Sequence, residues 1–149
     1  MELEASYNAI DAKNTSGQAH IDPSAGHTEG RLKIKLDRTV TKIDTIAVIL
    51  RSDVDHQLGM LLYDDSGKSA TREYTDIKAG RDNIVLLNRI GFNRGDKLSN
   101  NLSSLYLRVY TRTTDKPFYV TVKQVSILKH PSELREFFKQ HQNAYFHQQ

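Results

Sequence analysis

Between residues 43 and 128 the chain repeats one pattern: short apolar runs at period two, separated by clusters of turn formers. Residues 43–51 read Ile-Asp-Thr-Ile-Ala-Val-Ile-Leu-Arg, residues 58–63 read Leu-Gly-Met-Leu-Leu-Tyr, and further runs cover 84–87, 105–110 and 118–128. Side chains alternate faces along a strand, so the pattern predicts strands whose apolar sides meet in one core between two mainly antiparallel sheets. The predicted core is Leu32, Ile34, Val48, Leu50, Met60, Leu86, Leu105, Leu107, Val109, Val120 and Val122. Residues 43–51 are apolar on both faces, as expected of a central strand covered on both sides. Asp64-Asp65-Ser66-Gly67 supplies turn formers and a glycine for positive φ, and predicts a hairpin.

Outside the alternation the pattern weakens or changes. Residues 3–10 suit an opening strand. Residues 11–30 are rich in Gly, Ser, Asn, Asp and His and read as a long loop, with room for a short hairpin near Ala19-His20-Ile21. Residues 89–101 form a second long loop. At the C-terminus, Leu134, Phe137, Phe138, His141 and Tyr145 recur at three- and four-residue steps, which predicts an amphipathic helix capped by Ser132. The expected organisation is a sandwich over 1–129, followed by a helix within 130–149 that docks on the sandwich or on a partner.

At 149 residues the chain is sized for one domain with its own core. The absence of cysteine excludes disulfides, thiolate zinc sites and thiol nucleophiles. No apolar run reaches the roughly 20 residues of a membrane helix, and the first residues, Met1-Glu2-Leu3-Glu4, lack the basic and apolar character of an export signal. The formal charge of +3 is mild, and its Lys and Arg residues alternate with acids instead of clustering on one element. A nucleic-acid partner is therefore not expected.

Residues 43–128 resemble the galactose-binding-like β-sandwich family, jelly-roll domains that serve as carbohydrate-binding modules beside polysaccharide-degrading enzymes. Ile43 through Asp53 resembles its central strand ending in Ser-Asp, and Leu61-Leu62-Tyr63-Asp64-Asp65-Ser66-Gly67-Lys68 is similar to the hairpin that follows. Asn83-Ile84-Val85-Leu86-Leu87-Asn88 resembles the strand after a glycine-containing turn. Leu105-Tyr106-Leu107-Arg108-Val109-Tyr110 resembles the strand that crosses the binding face, and residues 120–128 the closing strand. The resemblance implies an all-β, antiparallel two-sheet jelly roll with no catalytic role, active outside the cytoplasm. Two departures stand out. The closing strand reads Lys123-Gln124-Val125-Ser126-Ile127, without the aspartate that often holds a structural calcium there, and the chain has no tryptophan for the binding face.

The residues themselves agree on the absence of catalysis. Asp64 and Asp65 are adjacent in a turn and read as turn chemistry. His20, Asp22 and His27 share a loop whose spacing fixes no metal geometry. His141 and His147 suit a helix C-terminus. There is no phosphate-cradling glycine loop and no Gly-x-Ser-x-Gly elbow, so neither an enzyme nor a cofactor is expected. The candidate ligand-binding residues are Tyr106, Arg108, Tyr110 and Tyr119. Tyrosine rings stack on the C–H faces of sugars, while an arginine fork donates to hydroxyls. The sequence thus points to a carbohydrate-binding accessory domain. Its partners would be a poly- or oligosaccharide, with mild positive charge favouring an acidic one, and an adjoining catalytic domain. The alternative is a structural or protein-interaction sandwich that uses its C-terminal helix for docking or oligomerisation, and that helix is also a candidate cover for the tyrosine face.

Overall fold

The computed structural model describes residues 2–6, 9–13, 17–23, 29–111 and 116–147, the first two stretches as backbone alone. The strands are β1 (Glu2–Ser6), β2 (Ala9–Lys13), β3 (Gln18–Ile21), β4 (Glu29–Thr39), β5 (Thr45–Ser52) and β6 (His56–Asp64), then β7 (Ser69–Ile77), β8 (Asn83–Leu87), β9 (Asn101–Tyr110) and β10 (Phe118–Leu128). Helix α1 (Pro131–Gln140) and a short strand β11 (Tyr145–His147) follow. They form two sheets. The front sheet has the order β1-β4-β9-β6-β7 and the back sheet the order β11-β8-β5-β10-β3-β2. All pairings are antiparallel except that of β11 with β8. The protein is an all-β sandwich with one C-terminal helix.

The alternation works as it should in a two-sheet fold. Leu32 and Ile34 of β4, Leu58, Met60 and Leu62 of β6, and Leu105, Leu107 and Val109 of β9 meet Ile46, Val48 and Leu50 of β5 and Val120 and Val122 of β10. Burying a side chain of this kind contributes about 1.5–3 kcal/mol, and the ladders satisfy the backbone that comes with it. Leu86 departs from the expected core. It packs in a second cluster with Ala47, Ile49, Ile84 and Phe137 on the outer face of the back sheet, while Val85 and Leu87 face the interior. A strand covered on both sides carries apolar residues at every position, so its sequence does not show which parity points inward.

That second cluster is where the helix goes. Phe137 is buried on Ala47, Ile49 and Ile84, with Leu128, Phe138, Ala144 and Phe146 around it, and the rings of Phe138 and Phe146 lie 4.9 Å apart. The apolar side of α1 thus packs within the chain, on the back sheet and not over Tyr106. Two details differ from the sequence reading. His130, not Ser132, occupies the cap position, and Glu133 reaches back to accept from the Lys129 N–H. The helix stops at Gln140, and Tyr145 enters β11, where its N–H donates to the Asp82 carbonyl at 2.8 Å. There Phe146 stands opposite Ile84, which an extra helical turn would leave uncovered.

The loops are more ordered than their composition suggests. Within 11–30 lies β3, paired with β2 on one side and β10 on the other. Residues 88–100 wrap Arg89, a fully buried guanidinium that donates to the carbonyls of Val40 (3.0 Å), Gly95 (3.2 Å), Ser99 (3.1 Å) and Leu98, and to Asn100 Oδ1 (2.9 Å). A side chain at Gly95 is impossible in this geometry, since its Cβ would fall 1.6 Å from the Arg89 carbonyl oxygen.

Candidate functional site

On the outer face of the front sheet, β9 lies between β4 and β6. Its outward residues therefore gain neighbours on both sides. Tyr106 stands opposite Lys33 of β4 and Leu61 of β6, and Arg108 opposite Arg31 and Gly59. Tyr106 meets Tyr63 edge to face at 5.3 Å, and Tyr110 meets Tyr74 of β7 edge to face at 4.7 Å. Such geometry favours aromatic pairs, because a positive ring edge meets a negative face.

Arg108 is held between the two pairs. Its Nε and Nη2 donate to the two oxygens of Glu29 at 3.1 and 3.2 Å, and its guanidinium lies 5.3 Å from the Tyr110 ring centre. Nη1 has no partner among the described residues and keeps two donors for a ligand. Glu29 also accepts from Arg31 Nε at 3.2 Å. Burial raises the Glu29 pKa, but hydrogen bonds and charge from Arg108 and Arg31 outweigh it and hold the carboxyl below its ordinary range. The Glu29 bond in turn holds Arg108 above its own.

The residues singled out from sequence part company here. Tyr106 and Arg108 share the front face and are partly exposed. Tyr110 is on that face too but only 4% exposed. It lies across Gly59, where a Cβ would meet its Cε2 at 3.0 Å, under the cover of Tyr74 and Arg108. It shapes the surface from below and presents little of itself. Tyr119 does not join them. Although β10 follows β9 in sequence, the two belong to opposite sheets, and Tyr119 is exposed on the back, stacked on His20 at 4.7 Å. Sequence reasoning missed Tyr63, Tyr74 and Glu29. The alternation of β6 already marks Tyr63 as outward, but nothing in it shows that β6 lies beside β9.

Among the described residues, no three or more His, Asp or Glu gather as for a metal. His147 contacts Asn83 Oδ1 at 2.9 Å, and His141 packs on Phe137 at 4.6 Å; His27 lies outside the described residues. Asp64 Oδ1 accepts from Ser66 N, Ser66 Oγ and Lys68 N, and its Oδ2 from Ser99 N, all within 2.7–3.0 Å. Asp65 accepts from Ser99 Oγ at 2.8 Å. These two carboxylates hold loops together. No helix among the described residues is long and apolar enough to cross a membrane.

No known family model matches the chain, and no curated protein matches it in sequence. Solved structures do match in fold. An agarase is similar over 89% of this chain and 25% of its own, with a TM-score of 0.59 and 14% identity. An exo-β-agarase is similar over 87% of this chain and 23% of its own, with a TM-score of 0.61 and 13% identity. A CBM4 structure is similar over 84% of this chain and 92% of its own, with a TM-score of 0.53 and 8% identity. The chain therefore spans about a quarter of the length of the agarases and nearly all of the CBM4 chain. At these identities the shared property is the β-sandwich.

Proposed function

We propose that this chain is a non-catalytic carbohydrate-binding module of the galactose-binding-like, jelly-roll type, and that it works as an accessory domain beside a polysaccharide-active catalytic domain outside the cytoplasm. The observation that carries the reading is the front face: Tyr106 and Tyr63 set edge to face, next to a guanidinium fixed by Glu29, with Nη1 unpartnered among the described residues. A sugar offers a flat C–H face that a ring can cover, ringed by hydroxyls that a fixed donor can meet. The ring pair and the Arg108–Glu29 fork are ordered before any ligand arrives, so little conformational entropy remains to be lost on binding. The sandwich shared with CBM4 over most of both chains, and with a quarter of each agarase, supports an accessory role. It also places agarose first among the polysaccharides to test.

Glycan arrays and calorimetry on the full chain examine this reading. Tyr106→Ala is expected to weaken binding about tenfold, the value of one good stacking contact, and to leave the unfolding midpoint nearly unchanged. Absence of binding to agarose and to every plant, algal and bacterial polysaccharide on the array would sink the proposal.

A further inference from the structure

The chain's positive charge is largely matched on the tyrosine face. Arg31 and Arg108 share Glu29, and Lys35 meets Asp37 at 3.6 Å. On the back sheet there is one place where several cations surround a single carboxylate. There a cleft of about 420 Å³ opens between the turn at Gly80 and the end of α1, lined among others by Arg51, Arg81, Lys139, Gln140 and Asn143. Among the described residues of its lining Asp82 is the one carboxylate, and it is already engaged by Lys123 Nζ at 2.7 Å and Arg51 Nη1 at 3.7 Å.

The two arginines are held in place. Arg51 Nη2 donates to the Gly80 carbonyl. Arg81 Nη2 donates to the Asn143 carbonyl at 3.0 Å, with its guanidinium 5.7 Å from the Tyr145 ring centre. A guanidinium anchored by one edge keeps its other donors in a planar fork, the shape that meets an oxyanion. An exposed aromatic lies on the same face. Arg51 stands opposite Thr121 in the β5–β10 register, and Tyr119, 44% exposed, comes two residues further along β10 on the same side.

We propose that this cleft is a second ligand site, which holds an anionic substituent (a sulfate ester or a carboxylate) of a polysaccharide whose sugar ring lies against Tyr119. It rests on the reading of the chain as a glycan-binding module, and it gives that module two faces with different preferences. Neutral sugar is taken by the front, and charged sugar by the back.

The test uses the full chain and three probes: inorganic sulfate, a neutral agaro-oligosaccharide, and a sulfated galactan oligosaccharide of equal length. Calorimetry at low and high salt is combined with NMR shifts of the backbone amides at 80–82 and 139–144. The sulfated oligosaccharide is expected to bind about tenfold tighter than the neutral one at low salt, roughly the value of one charge-assisted contact. Added salt and the double variant Arg81→Gln/Lys139→Gln should both erase that preference. Tyr106→Ala should weaken the neutral ligand and leave the sulfate-induced shifts in place. Equal affinity for the two oligosaccharides, or a preference that survives the double variant, overturns the proposal. Sulfate that moves none of those amides overturns it at the cleft itself. Sulfate shifts without binding of either oligosaccharide overturn it through the glycan reading on which it rests.

Discussion

Asp64→Asn isolates one side chain that ties two loops together. In the native chain Oδ1 takes three hydrogen bonds from Ser66 and Lys68 inside the β6–β7 turn, and Oδ2 takes one from Ser99 N at 2.9 Å, in the loop that wraps Arg89. Asparagine can keep the first set through its carbonyl oxygen. Its amide nitrogen then faces Ser99 N–H, donor against donor, so the change removes the negative charge and the tie to the loop together. Burial alone would raise the Asp64 pKa, but the bonds from Ser99, Ser66 and Lys68 outweigh it and bring the carboxyl from 3.8 down to about 2.

The sign follows from linkage. A carboxyl that ionises more readily folded than unfolded stabilises the fold above the unfolded value and loses that contribution as pH falls through the folded one. From these two values the contribution at neutral pH is about 2–3 kcal/mol. Urea unfolding of both proteins at several pH values measures it. Asp64→Asn should be about 2–3 kcal/mol less stable at neutral pH, with an unchanged denaturant slope. The gap should narrow steadily between about pH 4 and pH 2 as the native carboxyl takes up its proton. Asp44 and Glu29 titrate in both proteins and cancel in the difference. A gap that stays constant down to pH 2 would show that shape, not charge, sets the value of Asp64, and would refute the argument.

Three further substitutions probe the layers of the molecule. Leu107→Ala, at a fully buried core position, should cost about 2–5 kcal/mol by denaturant unfolding, and a smaller loss would mean that β9 does not face the core. Phe137→Ala should cost about 3–5 kcal/mol and speed amide exchange throughout α1, because a helix of this length does not hold without its packed face; unchanged exchange would place the helix elsewhere. Gly59→Val puts methyl groups where Tyr110 now lies, and is expected to weaken glycan binding at least as much as Tyr106→Ala, with binding at the native level counting against the front face as the site.

In strands with one polar side the alternation showed which residues point away from the core, and the structure agrees for Tyr106, Arg108 and Tyr119. It did not show the sheet to which each strand belongs. Tyr119 follows the candidate strand by a short connection, yet a connection of that length can close a hairpin or cross between sheets. Here it crosses. The same gap hid Tyr63 and Tyr74, which reach the site only because β6 lies beside β9 and β7 beside β6. At the C-terminus three residues of strand were too short to outweigh the helical period that runs through them. Arg89 opens a segment read as loop from its glycines and asparagines, and only the carbonyls gathered around it show that it is buried.

The two outer faces of the sandwich solve the same problem differently, and the difference bears on function. Each sheet has one side on the core and one side left over. On the back, Ala47, Ile49, Ile84 and Leu86 are apolar, and α1 and β11 cover them. On the front, the leftover side carries Tyr63, Tyr74, Tyr106 and the fixed Arg108, with Gly59 making room for Tyr110 beneath. A face that meets only water has no need of a glycine that opens space for a ring, and glycine within a strand costs about 0.5–1 kcal/mol relative to alanine. The ring that fills that space supports Tyr74 and lies beside Arg108, so the cost of the glycine goes into holding exposed groups still. The binding proposed for this face calls for groups held in that way.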